Sequence, residues 1–166
     1  MINKKTVIIS IGIFLLCSII VCIGVFTFTK PDSIIRVALS RSSNMGFFER
    51  GDVVYYFDLK SNGELIIKKG IISGADITES NFLKTVKEES TISLSESEKN
   101  QLIELADNIP ESDFFFDDSI VFDSYGVIVY YKDKIAIRHG GSDSIFALKK
   151  QLIELSPIEV KFTGGA

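Results

Sequence analysis

The sequence predicts an α+β protein: an N-terminal transmembrane helix, then an antiparallel sheet packed against two helices. Three observations carry this expectation. Residues Val7–Phe28 form a run of 22 without a charge. Short stretches rich in β-branched and aromatic residues at 53–69 and 127–138 are each broken by a polar turn, which reads as two hairpins. Two later stretches, beginning near Ser95 and Ser142, repeat leucine and isoleucine at helical spacing. The expected boundaries are a short N-terminal tail at 1–6, a transmembrane helix at 7–28, a linker at 29–33 and one α+β domain at 34–166.

The apolar run is long enough to be an anchor. At ~1.5 Å of rise per residue, a helix of this length spans the ~30 Å of a bilayer core. A cleaved signal peptide has a shorter apolar stretch, ~7–15 residues, and a small-x-small cleavage site. Here Phe28 is followed by Thr29-Lys30-Pro31-Asp32. Lipidation is disfavoured too, because Leu16 precedes Cys17 and Val21 precedes Cys22, where a small residue is needed. An uncleaved signal anchor fits best, with Lys4 and Lys5 inside and the domain outside the cytoplasm.

In the domain, Ile34–Leu39 reads as a first strand, followed by a polar loop at 40–46. Val53–Lys60 and Glu64–Lys69 form the clearest hairpin, and its register can be derived. A two-residue Asn62-Gly63 turn would pair Phe57 with Lys68 and Asp58 with Ile67, mixing apolar and polar faces. A three-residue loop pairs Leu59 with Leu65 and Phe57 with Ile67, and opposite residues in an antiparallel pair share a face. The second register is expected, with Gly63 in the left-handed conformation. Residues 70–93 fit either a short helix or an irregular strand. Ser95 and Glu98 make a capping box, with Leu102, Leu105, Ala106 and Ile109 following at helical spacing until Pro110. Phe114 or Phe116 of the aromatic-acidic stretch 112–118 is expected to plug the core. A second hairpin, Val127–Tyr131 and Lys134–Arg138, has an atypical Lys132-Asp133 turn that leaves its register open. Gly140-Gly141-Ser142 opens a second helix with Ile145, Leu148, Leu152 and Leu155 as its stripe. Beyond Pro157, the alternation of Ile158, Val160 and Phe162 suits a last short strand.

Lys99–Leu105 and Lys149–Leu155 agree at six of seven positions, fifty residues apart. Either a duplicated ββα unit, with residues 70–93 inserted in the first copy, or chance recurrence of Leu/Ile/Glu-rich heptads accounts for this echo. The order of features resembles a group of uncharacterised small bacterial domains found on secreted or membrane-anchored proteins. The residues that carry the resemblance are DLKSNGELIIKKG, LSESEKNQLIELAD, the FFF run and the HGG turn, within residues 34–156. It implies the hairpin-helix-hairpin-helix fold and no activity, since the group has none assigned. The chain departs from many members in lacking a small Gly/Pro/Cys-rich element before the first hairpin.

Composition narrows the chemistry. Residues 31–166 hold 15 of the 18 basic side chains and all 22 acidic ones, a net charge of −7. Such a domain is a poor partner for nucleic acid, where Lys and Arg supply most of the affinity. Both cysteines, Cys17 and Cys22, lie in the apolar run, so the domain has no thiol for a disulfide, a nucleophile or a metal. His139 is the single histidine. A Ser-His-acid set with Ser142 is conceivable, but no Gly-x-Ser-x-Gly elbow is present, and a turn residue beside two glycines is the plainer role. Asp113, Asp117, Asp118 and Asp123 match no alternating calcium loop, so no metal or other cofactor is expected. Gly140-Gly141-Ser142 lacks the Lys-Ser/Thr ending of a phosphate loop.

Side chains alternate along a strand, so Tyr55 and Tyr56 point to opposite faces, as do Tyr130 and Tyr131. One tyrosine of each pair is therefore either exposed or covered by a helix or the C-terminal strand. These four tyrosines and His139 form the candidate binding surface. The expected function is a non-enzymatic, membrane-anchored binding module at the cell envelope, with an envelope protein or a cell-wall component as partner. The alternatives are an envelope hydrolase using His139 and nearby acids, and a membrane-embedded immunity or accessory protein.

Overall fold

The computed structural model describes residues 32–40, 51–114, 126–139 and 142–161. All of these belong to the compact unit Asp32–Ala166. The expected anchor at 7–28 lies outside the described residues, and among those described no helix is long and apolar enough to cross a membrane.

The described residues form an α+β fold, with a six-stranded antiparallel sheet and two helices. Its elements are β1 (Ser33–Ser40), β2 (Val53–Lys60), β3 (Glu64–Ile72), β4 (Leu83–Ser93), α1 (Glu96–Asp107), a 3₁₀ turn at Glu111–Asp113, β5 (Gly126–Tyr131), β6 (Lys134–His139) and α2 (Asp143–Leu155). The strand order is β4-β3-β2-β1-β5-β6, so the first strand in the sequence lies inside the sheet. β1 is antiparallel to β2 on one side and to β5 on the other.

The first hairpin has the three-residue register. Leu59 stands opposite Leu65 and Phe57 opposite Ile67. Gly63 has φ +85°, and its N–H donates to the Lys60 carbonyl at 3.0 Å. The second hairpin, undecided in the sequence, closes with two residues, since Tyr131 faces Lys134. Lys132 and Asp133 both take positive φ, 49° and 60°, as a hairpin turn matching the strand twist requires. Their side chains help to hold that conformation. Asp133 accepts a hydrogen bond from the Tyr130 hydroxyl at 2.7 Å, and the Lys132 ammonium pairs with Asp107.

The open question at residues 70–93 resolves into strand. β3 continues to Ile72, a turn-rich strap spans 73–82, and β4 follows. The side chains of β4 are exposed on both faces over much of its length. Cross-strand charge pairs rather than burial match it to β3: Lys69 to Glu88 at 2.8 Å and Lys68 to Glu89 at 3.1 Å.

Both helices start as the sequence indicates. Ser95 caps α1 in a complete capping box, its N–H donating to Glu98 Oε2 at 2.8 Å. Ser142 caps α2. Leu102, Ala106 and Ile109 of the first stripe are buried, as are Ile145, Leu148 and Leu152 of the second, whereas Leu105 and Leu155 are half-buried at the margin. Opposite the helices the sheet contributes Val37, Leu39, Phe57, Leu59, Leu65, Ile67, Val127 and Val129 to this core. Phe114 packs half-buried against it, while Phe116 lies outside the described residues.

The expected last strand is corrected. Residues 156–161 form no strand, because their polar groups are taken up locally. The Ser156 hydroxyl accepts from Ile158 N–H at 3.2 Å and donates to the Ile158 carbonyl at 2.8 Å. Lys161 N–H donates to the Tyr55 hydroxyl at 3.1 Å instead of to a neighbouring strand. Ile158 is nevertheless buried in the helix-side core.

Candidate binding face

Strand alternation sorts the four tyrosines as the spacing implies. Tyr55 and Tyr131 face the helices and are 5% and 4% exposed. Tyr131 donates to Asp107 at 2.8 Å, and the Lys132 ammonium lies 5.0 Å from its ring centroid. Tyr56 and Tyr130 stand on the other face, half-buried. His139 ends β6 opposite Gly126, at the far end of the hairpin from the Tyr130–Asp133 contact. The structure therefore brings Tyr56 and Tyr130 onto one face and separates them from Tyr55, Tyr131 and the backbone of His139.

Among the described residues, the face of the sheet away from the two helices has its own small core. Ala38, Val54, Ile72 and Ile128 are buried there, joined by Ile77 and Phe82 from the 73–82 strap. The Phe82 ring packs tilted against Tyr56, with centroids 5.5 Å apart. Two turns of the strap are held by their own polar groups, the first by Ser73, whose hydroxyl accepts from the Ala75 N–H at 3.0 Å. Asp76 accepts from the Thr78 N–H at 2.8 Å and from its hydroxyl at 2.7 Å, and these bonds hold the Asp76 carboxyl below its ordinary pKa.

Three charged residues stand beside this apolar patch. Register places Arg36 of β1 opposite both Asp58 of β2 and Tyr130 of β5. Asp58 is 7% exposed. Its Oδ2 accepts from the Lys60 ammonium at 2.7 Å, and its Oδ1 lies 3.9 Å from Arg36 Nε. A buried carboxylate needs such partners, because desolvation of an isolated charge is costly. Arg36 also donates to the Thr78 carbonyl at 2.8 Å and to the Ser33 hydroxyl at 3.0 Å. Lys60 donates to the same hydroxyl at 2.8 Å. The Arg36 guanidinium lies 5.6 Å from the Tyr130 ring centroid, within cation–π range.

Both tyrosines of this face hold their protons more tightly than a free tyrosine. Burial, reinforced by the Asp58 charge, pushes the Tyr56 hydroxyl far above its ordinary value. The hydrogen bond to Asp133 raises Tyr130 in the same direction. Lys60 holds Asp58 Oδ2, while Asp58 Oδ1 and Arg36 Nε make no hydrogen bond and meet only as an ion pair at 3.9 Å. Among the described residues, no group of three or more His, Cys, Asp or Glu side chains is placed to hold a metal.

Sequence reading named the tyrosines but missed Arg36, Asp58 and Lys60. A signal did exist, since a charge in the middle of an apolar strand, as in IIRVAL and YFDLK, asks for a partner. Joining the two required the β1–β2 register, and that ladder shifts between Ser33 and Ile35.

The fold and face define a sheet-and-two-helix α+β domain carrying a tyrosine–arginine surface on its helix-free side. The chain matches no known family model and no curated protein sequence.

Proposed function

We propose that this chain is a membrane-anchored binding module at the cell envelope, tethered through residues 7–28 with its domain outside the cytoplasm. The uncharged run Val7–Phe28 supports the anchor. The observation that carries the binding reading is the half-buried Tyr130, backed by Arg36, on the sheet face away from the two helices, where the 73–82 strap packs on Tyr56. Tyrosine and arginine are enriched at protein interfaces because each combines a large contact area with a directed polar group. The partner would be another envelope protein or a cell-wall component, and the chain's resemblance to uncharacterised secreted or anchored bacterial domains is in keeping with that setting.

The domain also reads as a duplicated unit. Residues 70–93 are not the expected insertion into the first copy, since they supply the end of β3 and all of β4. The two copies are instead β3-β4-α1 and β5-β6-α2, at opposite ends of the sheet, each helix following an edge strand. The two helices bear the echoed heptads. Gln101 Nε2 donates to Gln151 Oε1 at 3.4 Å, a contact between equivalent positions, as a pseudo-two-fold axis would produce.

The test is a photo-crosslinking side chain at position 130 of the full chain in living cells, compared with the same probe at exposed position 146 of α2. A discrete adduct from position 130, absent from position 146, is the expected result. Adducts at neither position, together with loss of cellular function in a folded His139→Ala variant, would replace this reading with a hydrolase centred on His139. Protease added to intact spheroplasts should digest the domain; a protected domain would reverse the orientation.

A further inference from the structure

β4 poses a physical problem. It is an edge of the sheet and, at 11 residues, its longest strand. An edge presents unpaired N–H and C=O groups, a template for another chain. The helices and the strap leave it open, with side chains 84–89 all exposed.

Its ladder with β3 breaks twice. Lys69 faces Glu88 but Gly70 faces Val86, and Ile71 faces Thr85 but Ile72 faces Leu83. Each break leaves one β4 residue without an opposite, Lys87 in the first and Lys84 in the second. Both are exposed lysines without an ion-pair partner among the described residues, whereas Lys68 and Lys69 on β3 are paired to glutamates. Gly70 completes the first break. A Cβ there would lie 2.4 Å from the Thr85 carbonyl oxygen, so the strands come too close for any side chain. The opposite edge strand, β6, has six residues and an unbroken register.

We infer that β4 is a guarded edge: two bulges, each carrying an unpaired lysine, keep a second copy of this chain from adding to the sheet there. A bulge twists the strand away from a straight partner, and docking would have to desolvate the lysine beside it. The inference is independent of the binding reading above, because it concerns the opposite side of the sheet from β5 and β6.

The test compares full-length protein in detergent micelles with two double variants. Lys84→Thr/Lys87→Thr removes the guard while favouring strand. Lys150→Thr/Lys161→Thr removes the same charge elsewhere. Light scattering across a concentration series gives the mass, and amide hydrogen exchange locates any new contact. The edge variant should gain mass at concentrations where wild type and control do not, and its β4 amides should become about tenfold more protected. An edge variant with wild-type mass and circular dichroism would overturn the inference, as would equal association of the control. If the double variant loses its fold, Lys87→Thr alone is read by the same criteria. Lys84→Glu/Lys87→Glu, which keeps a charge at each bulge, should stay at the wild-type mass; its association would overturn the role of charge.

Discussion

Leu102 and Leu105 are three positions apart on α1 and chemically identical, so truncating each to alanine measures how the helix is rotated on the sheet. Leu102 is 0% exposed, while Leu105 is half-buried at the core margin. Leucine to alanine removes three carbons, worth about 2.4 kcal/mol at ~0.8 kcal/mol per buried methylene. At Leu102 the enclosed cavity adds to this, so a total of about 3–4 kcal/mol is expected. At Leu105 only part of the transfer is lost and solvent can fill the gap, leaving about 1 kcal/mol. Urea unfolding followed by far-ultraviolet circular dichroism separates the two, provided the slope with denaturant is unchanged. The same contrast should hold between Leu152, 2% exposed, and half-buried Leu155 in α2. Equal losses at Leu102 and Leu105, or a larger loss at Leu105, would refute the assignment of the buried stripe.

Three further outcomes are expected. Gly70→Ala should destabilise the fold by about 1–3 kcal/mol, the range for overpacking, because a backbone oxygen rather than a side chain blocks the new methyl; thermal melting checks this, and a neutral result would mean that the ladder can shift. Arg36→Met should cost about 1–2 kcal/mol, less than a fully broken buried pair because Lys60 still holds Asp58; exchange of the strap amides at Ser73 and Phe82 should quicken as the Thr78 anchor is lost, and unchanged exchange would show that Ile77 and Phe82 suffice. Tyr56 has a folded-state pKa raised above the ~10 of an unfolded chain, so its contribution to stability is whole below that pH and is lost as pH rises beyond it. Urea midpoints measured from neutral to alkaline pH should fall in wild type and fall less steeply in Tyr56→Phe; parallel slopes would assign the loss to other groups.

Elements with a local cause were legible in the sequence. The Ser95–Glu98 box, the leucine stripes and the Gly63 turn each depend on residues within a few positions, and the sharing of faces between Phe57 and Ile67 followed from alternation alone. What could not be read depended on distant partners. β4 is a polar strand whose pairing comes from Lys68 and Lys69 on another strand, so its own pattern carried no helix or strand period. The Lys132-Asp133 turn lacks glycine and is held partly by Asp107 of α1. Residues Ile158 and Val160 alternate like a strand, but Tyr55 and Ser156 take up the backbone groups that a strand would have offered. The same limit applied to the candidate face. The tyrosines showed themselves by type, whereas Arg36 and Asp58 became a pair only once β1 lay beside β2.

The interior position of β1 has a mechanical consequence. In sequence it is the first strand after Asp32, so a pull delivered through Asp32 reaches the domain along β1. That strand is laced to β2 over seven registered positions and to β5 over six. A load along its axis is shared in shear by both ladders at once, whereas a load on an edge hairpin can peel bonds one after another. A chain drawn taut by that end would resist extraction of its first strand, and the sheet would yield from its margins before its centre.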